Sequence, residues 1–180
     1  MRWSWIDIIT HVEKGKRLVA IKNVSMAEDV LHDHFPAQVG ANGEMLDPAP
    51  VMPASLLIEG MAQTAGLLVG YTGDFSEKVI LAKIVKATFV CEVTPGQTVR
   101  FDAALERIDP SGASTTGTIT AIDHKAGKEH HVASVELMFS HIDQNMAGTA
   151  FPEENFVFTD NFRSLLRAAG MIQSAPVDEV

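Results

Sequence analysis

The chain has 180 residues, of which 46% are hydrophobic and 21% are charged, and this balance is typical of a soluble globular protein with one main core. Its formal net charge of −9 argues against nucleic-acid binding, which requires a basic surface. The single cysteine, Cys91, excludes an internal disulfide and fits a reducing compartment. Because Asp7 and Glu13 interrupt the first apolar stretch, we expect no signal peptide and a cytoplasmic location.

The first fifty residues predict short elements followed by a long loop. Residues 3–9 are apolar and aromatic, which favours either a turn of helix or an edge strand. After a turn at residues 13–16, residues 17–24 alternate as a strand does. Residues 25–29 predict a capped helical turn. Residues 37–50 are polar and rich in glycine and proline, and they predict a loop.

An apolar helix is predicted over residues 53–70, beginning on Pro53 because proline suits the first turn of a helix. A helix that is apolar on nearly all sides must be buried, so we expect it to form the centre of the fold. It is too short and too interrupted to predict a membrane span. Its apolar positions are Leu56, Leu57, Ile58, Met61, Ala62, Ala65, Leu68 and Val69.

One narrow polar row interrupts this helix. It consists of Ser55, Glu59 and Gln63, which are spaced by four residues and therefore share a face. Glu59 is the only charged residue between Asp47 and Asp74. A carboxyl group in a core helix is costly when charged and unpaired. Glu59 is therefore either a hydrogen-bonded structural group, a subunit contact or a catalytic acid that burial keeps protonated.

The rest of the chain predicts an antiparallel meander and a tail. One helix combined with such a meander indicates an α+β fold in which the sheet wraps around the helix. We expect residues 1–141 to form this domain and residues 142–180 a C-terminal extension whose end is disordered. The predicted strands are residues 79–93, 98–108, 115–122 and 130–139. A short helix is predicted around Phe162, Leu165, Leu166 and Ala169, capped by Asp160 or Asn161 and ended by Gly170.

Two motifs resemble a known family. H-F-P at residues 34–36 and V-M-P-A-S-L-L-I-E-G-M-A-Q at residues 51–63 are similar to the β-hydroxyacyl-acyl-carrier-protein dehydratases of fatty-acid synthesis. The similarity extends from about residue 15 to about residue 140. It implies the hotdog fold, an antiparallel sheet around one central helix. It also implies that His34 is the catalytic base and Glu59 the catalytic acid of a dehydration that uses no metal or redox cofactor.

The resemblance implies further site residues and partners. Gln63, Phe35 and the backbone N–H of Ala54 correspond to substrate-binding groups, the last of these donating to the thioester carbonyl. The implied partners are an acyl carrier protein and a second copy of the chain, with a trimer of dimers as a larger option. In such a dimer His34 of one chain faces Glu59 of the other. Candidate carrier-docking residues are Lys78, Lys83 and Lys86.

The sequence departs from the family pattern at two places. Ala54 stands where the family has glycine, which leaves the backbone N–H in place. Residues 37–50 are about ten residues longer than the link that joins the two motifs in the family. Since this insertion separates His34 from the helix, we expect it to lie near the acyl entrance, with Met45 and Leu46 as its apolar contacts.

Other functions remain open from sequence. A hotdog thioesterase also uses an acidic residue near the central helix, but it lacks the His-Phe-Pro element retained at His34. A non-catalytic acyl-binding subunit would have no need of the carboxylate of Glu59. Asp33 beside His32 and His34 suggests a metal site, but no further ligand at a characteristic spacing follows these residues in the chain.

Overall fold

The structure, a computed structural model, describes residues 4–142 and 160–172. Eight strands and three helices follow one another in these ranges. In chain order they are β1 (Ile8–Glu13), β2 (Arg17–Asn23), α1 (Asp29–His32), β3 (Gln38–Val39), β4 (Met45–Leu46), α2 (Ala54–Thr72), β5 (Lys78–Phe89), β6 (Gln97–Asp109), β7 (Gly112–Asp123), β8 (Lys128–Ile142) and α3 (Asp160–Ala168). None of these helices has both the length and the apolarity needed to cross a bilayer.

Six of the strands form one antiparallel sheet in the order β1-β2-β6-β7-β8-β5. Along β6, β7 and β8 the buried residues alternate with more exposed ones, so one face of the sheet is apolar. That face packs against α2, and the predicted α+β architecture is confirmed. The buried residues of this face include Val99, Phe101, Ala103, Ile119, Ala121, Ala133, Val135 and Leu137.

Two glycines allow α2 to lie close to the sheet. A β-carbon at Gly60 would collide with the ring of Phe101, which is fully buried on β6. A β-carbon at Gly117 on β7 would collide with the side chain of Met61. The absence of a side chain at both positions therefore sets the helix–sheet separation.

The prediction of a buried central helix is confirmed for the side of α2 that packs on the sheet. The helix begins at Ala54, with Pro53 at its N-cap, and one side of it contacts the sheet. Glu59 and Gln63 are only half-buried and Ser55 is exposed, because a single sheet covers one side of a helix and leaves the other open. The buried residues of α2 are Leu57, Gly60, Met61, Ala62, Thr64, Ala65, Leu67, Leu68, Val69 and Gly70.

The strand β5 forms one edge of the sheet, and within residues 4–142 and 160–172 no other strand pairs with its outer side. Six consecutive residues, 81–86, are exposed, including Leu81, Ile84 and Val85. The register shifts between Leu81 and Lys83 and again between Ile84 and Lys86. These bulges explain why the sequence of β5 does not alternate cleanly.

The predicted loop at residues 37–50 is in fact a β-hairpin. β3 pairs with β4 through Gln38↔Leu46 and Val39↔Met45, and the tip turns at Gly43, whose φ is 79°. The hairpin stands out from the body, since Val39 and Met45 are 68% and 69% exposed. The Asn42–Gly43 dipeptide was the sequence signal for this turn.

The two ends of the chain complete the fold. The edge strand β1 begins only at Ile8, so residues 4–7 of the predicted opening element form neither helix nor strand. The helix α1 begins at Asp29 instead of residue 25. The predicted C-terminal helix is confirmed as α3, and Gly170 follows it with a φ of 69°. Leu166 and Met171 join the main core. Residues 143–159 and 173–180 of the predicted extension, including its predicted disordered end, lie outside the described residues.

Candidate active site

His34 is held by the backbone of Val51, which lies shortly before the start of α2. Its carbonyl oxygen accepts the N–H of Val51 at 2.7 Å, and its ring Nδ1 lies 2.9 Å from the carbonyl oxygen of Val51. Because a carbonyl oxygen can only accept, Nδ1 must carry the proton in this contact. The other ring nitrogen, Nε2, then keeps a lone pair in the neutral imidazole. The arrangement suits a general base.

Phe35 packs directly on this histidine. The two rings are stacked, with centroids 4.2 Å apart and an interplanar angle of 27°. The main chain of Phe35 exchanges two hydrogen bonds with Ala49, of 2.8 and 2.9 Å, at the root of the hairpin. The phenyl group is still 47% exposed. It therefore supports one face of the imidazole and offers apolar surface to a bound molecule.

Glu59 is linked to Gln63 one helical turn further along α2. The side-chain Nε2 of Gln63 donates to Oε1 of Glu59 at 2.9 Å. The side-chain Oε1 of Gln63 in turn accepts the backbone N–H of Trp5 at 2.9 Å. The carboxyl group thus lies on the half-buried side of α2, held by an amide that is itself fixed from the N-terminal segment.

Ala54 is the first residue of α2 and is exposed. As the first N–H of a helix, its amide has no acceptor within the helix. The first turn of α2 contains no acidic residue to neutralise the positive end of the helix dipole. The Ala54 N–H can therefore donate to an oxygen on which negative charge develops.

The three lysines considered for carrier docking lie on one strand. Lys83 and Lys86 are exposed on β5, and Lys78 at its start is half-buried. Within residues 4–142 and 160–172, none of the three forms a salt bridge. The edge strand β5 thus carries three lysines, and Glu136 of β8 lies opposite Lys86 in the register.

Two groups of this site were missed by reasoning from sequence: the carbonyl of Val51 and the N–H of Trp5. Both are main-chain atoms, and any residue type at those positions supplies them, so no sequence signal marks them. In the described ranges, His32 and Asp33 do not belong to any group of three or more potential metal ligands.

Comparison with known proteins assigns the chain to a family. The FabA-like domain matches residues 2–134 of the chain. The 3-hydroxyacyl-(acyl-carrier-protein) dehydratase FabZ of Clostridium kluyveri is 34% identical over 141 residues, which cover 78% of this chain and 86% of that protein. The FabZ dehydratase of Magnetococcus marinus is 41% identical over 103 residues, which cover 56% of this chain and 60% of that protein.

Solved structures show the same fold in proteins of different activity. An acyl-CoA hydrolase from Agrobacterium tumefaciens superposes with a TM-score of 0.52 at 18% identity, covering 76% of this chain and 47% of that one. At such an identity the likeness establishes the hotdog fold alone. The sequence relatives carry the more specific assignment, and the chain belongs to the FabA-like family of hotdog proteins, among the dehydratases of the FabZ type.

Proposed function

We propose that this chain converts β-hydroxyacyl chains on acyl carrier protein into trans-2-enoyl chains by removing water. The observation that carries the proposal is the imidazole of His34, whose Nδ1 is fixed by the carbonyl of Val51 at 2.9 Å, in a member of the dehydratase family. Dehydration next to a thioester needs a base for the α-proton and an acid for the leaving hydroxyl. The chain supplies an imidazole and a carboxyl group for these two roles.

The proposed roles follow from the chemistry of each group. Nε2 of His34 removes the α-proton, and the electron pair that it leaves forms the new double bond as the C–O bond breaks. The carboxyl group of Glu59 gives its proton to the departing hydroxyl, which leaves as water. The N–H of Ala54 stabilises the negative charge that develops on the thioester carbonyl oxygen during proton removal. Phe35 contacts the acyl chain beside the reacting carbons.

A thioesterase is the alternative that the fold alone would allow. A hydrolase and a dehydratase share this fold, so the architecture does not distinguish them. The dehydratase is favoured because the His-Phe-Pro element is kept and because His34 is oriented by Val51. A non-catalytic acyl-binding subunit is disfavoured because Glu59 retains a dedicated hydrogen-bond donor in Gln63.

We also propose that the active unit is a homodimer formed through β5, alone or as part of a trimer of dimers. An open strand edge with Leu81, Ile84 and Val85 exposed can pair with the same edge of a second copy. The side of α2 that the sheet leaves half-buried, including Leu56 and Ile58, would be covered in the same assembly. In this dimer His34 of one chain faces Glu59 of the other.

The acyl carrier protein is proposed to dock beside that edge. Carrier proteins of this kind are acidic, and the chain itself has a net charge of −9, so docking requires a local basic surface. Lys83 and Lys86 provide it, since both are exposed and form no salt bridge in the described parts of the chain. Charge attraction at this position would mainly raise the association rate and weaken with salt.

The hairpin and the ends of the chain complete the proposal. The hairpin lies beside the acyl entrance, because its root pairs with Phe35 next to His34. Residues 1–141 form the catalytic domain, and residues 142–180 form an extension attached to it through α3. A cytoplasmic location is favoured by the single free cysteine, Cys91, which fits a reducing compartment.

The direct experiment is incubation of the purified protein with β-hydroxyacyl carrier proteins of several chain lengths. Mass spectrometry of the carrier distinguishes the outcomes, because dehydration removes one water and leaves the thioester intact. We expect enoyl carrier protein to form. Free carrier protein and a free acid would instead identify a thioesterase, and an unchanged but tightly bound substrate would identify an acyl-binding protein.

A further inference from the structure

The β3–β4 hairpin has two unlike faces. Cross-strand partners of an antiparallel pair point to the same side, and so do residues two positions apart on one strand. Leu46, which pairs with Gln38, therefore shares a face with Gly40, and a β-carbon at Gly40 would lie 3.4 Å from the Leu46 side chain. This face is covered in part from within the hairpin. Val39 and Met45 lie directly across from each other on the opposite face.

The face formed by Val39 and Met45 has no cover in the described parts of the chain. Their exposed fractions, 68% and 69%, are the highest among the large apolar residues that the structure describes. There, β3 and β4 pair only with each other. A hairpin whose strands have two residues each is too small to be stable in water by itself, so this apolar face needs a partner surface.

The root of the hairpin is fixed beside His34. Phe35 and Ala49 exchange two hydrogen bonds of 2.8 and 2.9 Å, and the carbonyl of His34 accepts the N–H of Val51 at 2.7 Å. Five residues separate His34 from Val39, and an extended chain of that length spans at most about 18 Å. The apolar face therefore lies within reach of the surface that is opposite His34.

In the proposed dimer that surface is the outer side of α2 in the second copy, because His34 of one chain faces Glu59 of the other. Ile58, next to Glu59, is half-buried and is not among the residues that pack against the main core. Each chain thus leaves two apolar surfaces uncovered, one on the hairpin and one on α2. The same two-fold axis brings the first surface of one chain to the second surface of the other.

The charge of the hairpin argues against other occupants of this face. Within residues 37–50 the only charged residues are Glu44 and Asp47, both acidic. Neither forms a salt bridge in the described ranges. They would repel an acidic carrier protein or an anionic lipid surface. Repulsion from α2 of a second copy is small, because Glu59 is the one charged residue of that helix.

We propose that the hairpin is a clasp between two copies of the chain, in which Val39 and Met45 pack on the outer side of α2 of the second copy, beside its Glu59. This inference rests on the dimer of the proposed function. The clasp closes one side of the shared site with apolar surface from the chain that supplies His34. It also adds buried area to the contact made through β5.

Photo-cross-linking identifies what covers the apolar face. Chains that carry p-benzoyl-phenylalanine in place of Met45 are refolded together with isotope-labelled parent chains and irradiated. We expect mass spectrometry to find cross-links that join the hairpin of one chain to α2 of a labelled chain. Cross-links confined to one chain, including its residues 143–159, or directed to added acyl carrier protein, would overturn the clasp. So would the absence of any cross-link.

Dimer affinity compares the two faces of the hairpin directly. Val39→Ser combined with Met45→Ser should raise the dimer dissociation constant by at least about tenfold, because two apolar side chains leave the interface. Gln38→Ser combined with Glu44→Ser changes the opposite face of the same hairpin and should alter that constant less than about threefold. Analytical ultracentrifugation provides the measurement. Equal dissociation constants for the two double variants would contradict the clasp.

The clasp and the proposed dehydration fail in different experiments. Dimers that cross-link through position 45 but leave β-hydroxyacyl carrier protein unchanged would support the clasp and refute the dehydration. An active enzyme whose two double variants dissociate equally would refute the clasp and leave the dehydration standing.

Discussion

The two sides of α2 are held in place by different kinds of contact, although neighbouring residues of one helix belong to both. Gly60 faces the sheet and lies so close to Phe101 that a β-carbon would collide with the ring. Glu59, the preceding residue, is half-buried on the other side and is held by a hydrogen bond from Gln63. The sheet-facing side is thus specified by shape, whereas the outer side is specified by directed hydrogen bonds. Stability and chemistry should therefore respond to different residues of the same helix.

The largest expected effect is a loss of activity on changing Glu59, on the outer side of α2, or His34, which faces it in the proposed dimer. His34→Ala and Glu59→Gln should each lower the dehydration rate about 10²–10⁴-fold, because each removes one acid–base partner. Both proteins should remain folded, and Glu59→Gln should melt no lower than the parent. Steady-state kinetics and thermal melting check this. Retention of more than half of the activity in either variant would make the assignment wrong.

The converse effect is expected on the sheet-facing side. Gly60→Ala should lower the free energy of unfolding by about 1–3 kcal/mol, since the new methyl group must displace the buried ring of Phe101. Gly66→Ala is the matched control on the same helix, because its β-carbon would lie 3.5 Å from Phe139, an ordinary contact. It should stabilise the helix by about 0.5–1 kcal/mol.

Denaturant unfolding of the two glycine variants measures this difference. The expected signs are opposite, although the chemical change is the same. If Gly60→Ala were as stable as Gly66→Ala, the close approach of α2 to β6 would be refuted. The kcat of Gly66→Ala should stay near that of the parent protein.

A moderate effect on substrate preference is expected from the hairpin. Replacing residues 37–48 by a short link, with Ala49 kept to pair with Phe35, should change KM or chain-length preference more than kcat on short substrates. The reason is that Val39 and Met45 offer apolar surface near the proposed entrance. Kinetics across a series of acyl lengths provide the measurement. An unchanged profile would remove the hairpin from the substrate path.

The smallest effect is expected on the pH dependence of stability, at the turn between β6 and β7, which lies away from α2. The hydroxyl and the N–H of Ser111, with Arg107, lower the pKa of Asp109 from 3.8 to about 2. A lowered pKa contributes stability that is present above the unfolded value and is lost as the pH falls through the folded value. Asp109→Asn should therefore flatten the loss of stability between about pH 4 and pH 2 and leave activity at pH 7 unchanged.

Urea unfolding at a series of pH values tests the role of Asp109. The difference between the parent and the variant should shrink as the pH falls through about 2 and vanish below it, where the carboxyl group is protonated in the folded state as well. A constant difference between them down to that pH would show that the turn is stabilised by something other than the charge of Asp109.

The sequence predicted the architecture because the relevant signals are local. Alternation located β6, β7 and β8 to within a few residues, and Gly170 marked the end of α3. The half-buried state of Glu59 was not predictable in this way. Which side of an apolar helix a sheet covers depends on strand curvature and on where Gly60 and Gly117 permit close approach.

The contacts that support the candidate site could not be predicted from the sequence, because they are made by backbone atoms. His34 is oriented by the carbonyl of Val51, and Gln63 by the N–H of Trp5. Such backbone groups are present in every residue, so only the folded geometry selects them. The hairpin was missed because strands of two residues are too short to show a period, although Gly43 marked its turn.

The most direct test of the proposed site uses mixed dimers of two inactive variants. His34→Ala and Glu59→Gln proteins are unfolded, mixed in equal amounts and refolded together, so that half of the dimers contain one chain of each. If each site combines His34 of one chain with Glu59 of the other, every mixed dimer holds one intact site. Activity should then return to about a quarter of the parent value by this symmetry counting. If no activity returns while mixed dimers form, the two residues do not meet across a dimer, and the proposed site is wrong.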